Sequence, residues 1–168
     1  MSPSPERLSH LYDTHEHKLY RLARRLTASA SDAEDLLQDT FLKAAHALDS
    51  IPVGSPNEEA WLTRVLVNTR RDQWRRNGVR QRAAALLRSE PATLHSSAES
   101  ALITRQAVWS ALDALKPRRR AIVILAELDG LTPEAIARTL GVAVMTVRWH
   151  LSLARRELRQ ALAPHMER

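Results

Sequence analysis

Apolar residues in this chain recur every three or four positions over almost its whole length, and that spacing is the strongest constraint on its fold. Tyr12, Leu19, Tyr20, Leu22, Ala23 and Leu26 form one stripe, and Leu36, Leu37, Phe41, Ala44, Ala45 and Leu48 form a second. Side chains at such spacings share one face of an α-helix, whereas a half-buried strand needs strict alternation. The four glycines and the 4% aromatic content also leave too little turn punctuation for a strand-rich architecture. The expected fold class is therefore all-α.

Punctuation divides the helices. A first helix is expected over about 5–27. Ser31 and Glu34 have capping-box spacing at the start of a second. Pro52, Gly54 and Pro56 mark a loop before a third helix at about 57–82. The apolar period dissolves after Leu86, so 86–96 reads as a flexible linker between a domain over 1–85 and another over 97–168. A second capping box, Ser96-Ser97-Ala98-Glu99, opens a helix to Leu115. Pro117 suits the first turn of the next, which ends at Gly130. Thr132 caps a short helix that stops at Gly141, and a last helix runs from about 144 to 162. The expected architecture is two small helical domains.

Charge sorts along the same axis. Residues 1–60 hold six Lys or Arg and ten Asp or Glu, while 61–168 hold nineteen and nine. Of the 25 basic residues 22 are Arg, the side chain suited to phosphate forks and base edges. A basic remainder of this kind points to a polyanion. The absence of Cys excludes a disulfide framework, Cys-ligated zinc, iron–sulfur clusters and a thiol nucleophile. No glycine-rich phosphate loop is present. His15 and His17 diverge on a helix, so they do not share a metal with His10, and no catalytic constellation, cofactor or metal site is expected. With neither a signal-peptide pattern nor a long apolar run, the expected location is the cytoplasm.

Leu131 to Leu151 has the form of a helix-turn-helix: an eight-residue helix, a turn with Gly141, and a second helix. Ile136, Leu140, Val142, Val147 and Leu151 take the inward spacings. Thr146, Arg148, Trp149, His150, Ser152 and Arg155 are left outward, where a recognition helix meets the major groove. Arg155, Arg156 and Arg159, with Arg118, Arg119 and Arg120, suit phosphates. In the first domain Arg64, Arg70, Arg71, Arg75, Arg76, Arg80 and Arg82 form a basic run interleaved with Trp61 and Trp74. Aromatics beside arginines can stack on unpaired bases; Trp61 fits the core better, and Trp74 lies off that stripe.

Together these residues resemble the extracytoplasmic-function sigma factors. The run from Ala33 to Phe41 is similar to that family's polymerase-binding helix. Ala60-Trp61-Leu62 with Asn68, Asp72, Arg75 and Arg76 is similar to its promoter-melting segment. Leu112 to Ala121, Leu131 to Gly141 and Thr146 to Arg155 are similar to its C-terminal DNA-binding domain. The resemblance implies a non-enzymatic subunit that docks on the clamp helices of core RNA polymerase through Asp35, Gln38, Asp39 and Leu42. It implies capture of a melted promoter strand near Asn68, Arg71, Arg75, Arg76 and Arg80, duplex readout by the last helix, and control by an anti-sigma factor. The chain departs from the family pattern at Ala135, Ala143, Trp149-His150 and Leu153, which leaves the promoter sequence open. The competing reading, a stand-alone operator-binding regulator, predicts a dimer and gives the acidic 34–39 face no task.

Overall fold

The computed structural model describes residues 5–85 and 100–166, and among them every regular element is helical. The order is α1 (Pro5–Leu26), α2 (Ala30–His46), a short 3-10 turn (Leu48–Ser50), α3 (Ser55–Ala85), α4 (Ser100–Asp113), α5 (Pro117–Glu127), α6 (Pro133–Leu140) and α7 (Val144–Met166). The tether expected at 86–96 and the cap expected at Ser96 to Glu99 lie outside the described residues.

The first three helices pack on one another because each buries one stripe. Leu11, Leu19, Leu22 and Leu26 of α1 meet Leu36, Leu37 and Ala44 of α2 and Leu62 and Leu66 of α3. The polar members of this core are satisfied: the Thr40 hydroxyl donates to the Leu36 carbonyl at 2.7 Å, and His15 Nε2 lies 3.4 Å from Glu58 Oε2. The start of α2 differs from expectation. Its N-cap is Ser29 rather than Ser31: Ser29 Oγ accepts from the Asp32 N–H at 3.0 Å and donates to the Asp32 carboxylate at 2.7 Å. The Ser29–Asp32 pair satisfies the first turn two residues earlier than the Ser31–Glu34 pair could, so the helix begins there.

In the second half, α4, α5 and α6 all pack against α7. Helix α5 is buried nearly all round, from Arg120 through Leu125. A helix apolar on every side needs cover on every side, and α5 obtains it by lying between α7 on one flank and α1 and α3 on the other. The two halves are thus in contact, with α3 packed on α5 and α6. Among the described residues, three polar links join them. Arg64 of α3 donates to the Arg138 and Thr139 carbonyls at 2.8 and 3.0 Å. Arg25 pairs with Asp129 at 2.8 Å, and Arg120 Nε donates to the Arg25 carbonyl at 2.7 Å. Arg64 therefore satisfies carbonyls at the end of α6 that have no intrahelical partner.

Candidate nucleic-acid interface

The helix-turn-helix is built from local chemistry. Thr132 Oγ1 accepts from the Ala135 N–H at 3.2 Å and starts α6. Gly141, at φ +66°, ends it in the left-handed conformation, with its N–H returning to the Ala137 carbonyl. Ile136, Leu140, Val147, Leu151 and Ala154 bury the contact between α6 and α7. Val142, expected inward, is half-buried and packs on that core.

This packing turns one face of α7 outward. Arg148, Trp149, Ser152, Arg155 and Arg156 are exposed, Trp149 at 56%, while Thr146 and His150 are half-buried. Trp149 stands over His150, with ring centroids 4.9 Å apart. Arg148 pairs with Glu134 at 2.8 Å and Arg155 with Glu127 at 2.8 Å, so acids from the neighbouring helices hold both arginines in place. The Glu134 carboxyl is held below its usual range by its own backbone N–H and then by Arg148. Burial, with Arg119 and Arg118 adding like charge, holds the His150 imidazole below the ordinary histidine range. Met145, 72% exposed at the start of α7, belongs to the same face. The sequence reading passed over it, although it lies off the Val144, Val147 and Leu151 stripe, which is the signal that could have found it.

Around the start of α5 the three arginines part company. Arg118 and Arg119 are half-buried; Arg119 pairs with Glu157. Arg120, expected at a phosphate, is only 4% exposed and is used up by Asp113 and the Arg25 carbonyl. Its position one residue past Arg119 turns it by about 100° on the helix, into the contact with α1. Arg120 is thus corrected from a phosphate contact to a link between the two halves.

On α3, Arg75, Arg76 and Trp74 are exposed, Trp74 at 41%, whereas Asn68 and Arg71 are half-buried. Trp61 is half-buried and packs on the core, as expected. Arg71 lies 3.4 Å from the Asp72 carboxylate. Arg70 turns inward to donate to the Leu26 carbonyl at 2.9 Å, and Arg64, read as part of the same run, serves α6 instead. Arg80 belongs to α3, but its side chain lies outside the described residues.

On α2, Asp35, Gln38 and Leu42 share an exposed face at i, i+3 and i+7, with Leu42 53% exposed. Asp39 is half-buried and accepts from Gln73 Nε2 at 3.0 Å. Gln38 and Leu42 border an open groove of about 810 Å³ between α1 and α2, floored by Tyr12, Leu37 and Phe41. His15 faces Glu58 inside the first half while His10 and His17 are exposed, so the three do not converge. No described helix is long and apolar enough to cross a membrane.

Comparison with known proteins bears on both halves. Sigma-70 region 2 matches residues 11–80, and sigma-70 region 4 matches 105–158. The chain is 36% identical over 156 residues to the ECF RNA polymerase sigma factor SigE of Mycolicibacterium smegmatis, covering 90% of this chain and 60% of that protein's length. It is 33% identical to the ferric citrate uptake sigma factor FecI of Escherichia coli, covering 86% of this chain and 84% of the relative. Among solved structures, the sigma factor RpoE of Bartonella quintana, in complex with the anti-sigma factor NepR, aligns with a TM-score of 0.65 at 30% identity, over 92% of this chain and 95% of that one. With two helical halves matching region 2 and region 4 in order, the chain belongs to the extracytoplasmic-function family of RNA polymerase sigma factors, transcription initiation factors rather than enzymes.

Proposed function

We propose that the chain recruits core RNA polymerase through the α1–α2 surface, reads the upstream promoter duplex with the outward face of α7, and captures a melted strand along α3. The observation that carries this reading is the segregation of surfaces. Asp35, Gln38 and Leu42 give α2 an acidic and apolar face, suited to a basic helical partner such as the clamp helices of the largest polymerase subunit. Thr146, Arg148, Trp149, His150, Ser152, Arg155 and Arg156 give α7 a face for the major groove, flanked by Arg118 and Arg119 for phosphates. Asn68, Arg71, Arg75, Arg76 and Arg80 with Trp74 suit a backbone and an unstacked base. The contact between α3 and α5–α6 leaves Trp149, Trp74, Arg75 and Arg76 exposed and Arg71 and Arg118 half-buried, so in this reading separation of the halves frees the last two for DNA. Control by an anti-sigma partner belongs to this reading, and the structurally similar RpoE is found in complex with the anti-sigma factor NepR.

Run-off transcription with reconstituted holoenzyme over a genomic promoter pool tests the reading. The expected result is initiation at a discrete promoter set, which Trp149→Ala alters and Leu42→Asp abolishes by preventing comigration with core polymerase. A folded Leu42→Asp variant that still comigrates and transcribes overturns the docking surface. A wild-type chain that binds duplex DNA as a dimer but never comigrates with polymerase favours the stand-alone regulator.

A further inference from the structure

Successive residues of a helix are turned by about 100°, so the buried residues of α7 fix the direction of all the others. Val147, Leu151 and Ala154 are buried toward the rest of the second half. Met145, Trp149, Ser152 and Arg156 then fall within about 60° of one another on the opposite side, and all four are exposed. The first two positions on this line, nearest the Gly141 turn, are large and apolar, and they stand one turn apart. Arg148 and Arg155 lie roughly a quarter-turn to one side, where Glu134 and Glu127 take them at 2.8 Å. The half-buried His150 ring backs the indole at a centroid distance of 4.9 Å and narrows the orientations open to it. The mid-line of the face that enters a major groove is therefore apolar at its leading end, with two guanidiniums set to the flank.

An apolar side chain at the centre of such a face finds one methyl group in the groove, that of thymine, among edges otherwise made of donors and acceptors. We propose that Met145 and Trp149 are specificity-determining residues that select thymines in the promoter duplex through their 5-methyl groups. This rests on the reading of α7 as the duplex-recognition helix and names the base chemistry that helix selects. Four residues of helix advance about 6 Å, so the two side chains address thymines about two base-pair steps apart. Duplex DNA is favoured over a protein as the occupant because α7 carries no acid before Glu157, and the exposed Arg156 and Arg159 continue the line with positive charge. Two side chains also offer less apolar area than a stable protein contact needs. An indole already backed by His150 loses less freedom on binding, so less of the gain from a methyl contact goes to ordering it.

Holoenzyme reconstituted from the full chain and core polymerase, titrated by fluorescence anisotropy onto upstream duplexes selected from a random pool, tests this. Each thymine on either strand is replaced in turn by deoxyuridine, which removes only the methyl group. The expected result is two thymine positions at which the replacement weakens binding about fourfold, the scale of one buried methyl group. Met145→Ala abolishes the response at one position and Trp149→Ala at the other. Leu128→Ala, which shortens an exposed apolar residue at the end of α5, keeps both responses. Selected duplexes indifferent to deoxyuridine at every position, or responses that survive both α7 substitutions, overturn the proposal and leave duplex readout by α7 standing. Holoenzyme with no sequence preference on any duplex overturns that readout and the proposal with it. If Met145→Ala and Trp149→Ala instead lower affinity for core polymerase while the deoxyuridine responses persist, the pair belongs to a protein contact and the proposal falls.

Discussion

Gly141→Ala separates a local backbone effect from the contact between the two halves. Gly141 and Gly130 both sit at φ +66°, where a side chain costs about 1–2 kcal/mol. A Cβ at Gly130 meets nothing within 4 Å, so Gly130→Ala carries that cost alone. At Gly141 the added Cβ falls 2.9 Å from Arg64 Cζ. The guanidinium is the end of a flexible side chain and can swing away, but it then leaves the Arg138 and Thr139 carbonyls. Two charge-assisted bonds, discounted for partial exposure, add roughly 1–2 kcal/mol at this one position. For a chain of this size the excess lowers the melting temperature of Gly141→Ala by about 3–6 °C below that of Gly130→Ala. Differential scanning calorimetry of both variants, each alone and with Arg64→Gln, completes a double-mutant cycle. The excess should vanish in the Arg64→Gln background. Equal costs at the two glycines, or no coupling to Arg64, would refute the seating of Arg64 against α6 and with it the closed arrangement in solution.

Other outcomes follow from the same contacts. Thr132→Ala removes the α6 cap and should lower stability by about 1 kcal/mol, read from the urea midpoint, with Thr132→Ser nearly neutral. His150 has a folded pKa below its unfolded value near 6.5, so the unfolded chain binds the extra proton first. The stability linked to His150 is therefore full above pH 6.5 and is lost as pH falls through that value toward the folded pKa. Urea midpoints between pH 8 and 5 should show this fall, and His150→Gln should flatten it. Trp149→Ala should weaken binding to a selected promoter duplex by about 1–3 kcal/mol and relax its sequence preference, measured by fluorescence anisotropy, while Arg156→Gln weakens all duplexes alike.

Most of the helices were legible because their information is local. Thr132, Pro117 and Gly141 act within a turn of their own positions, and the structure uses each as the sequence implied. Ser31 was misread for the same reason: two serines two residues apart, each with an acid three positions on, offer equivalent caps, and it is Ser29 that pairs with Asp32. The outward face of α7 followed from the inward one, since Val147 and Leu151 fix the rotation of the helix. Met145 was missed because an apolar side chain on a recognition face has no polar signature.

The arginines mark the boundary between what the sequence alone determined and what needed tertiary structure. Composition and order placed them in the basic part of the chain and implied a polyanion. The fate of three of them depended on contacts 44 to 95 residues away: Arg70 at Leu26, Arg64 at Arg138 and Thr139, and Arg120 at Arg25. The helical period specifies which residues share a face, but not which neighbour that face meets. A guanidinium is long, always charged and able to serve either a carbonyl or a phosphate, so nothing in its spacing says which it will find. That choice is made by burial, and burial here belongs to α5, whose apolar run from Ala121 to Leu125 draws the two halves together around it.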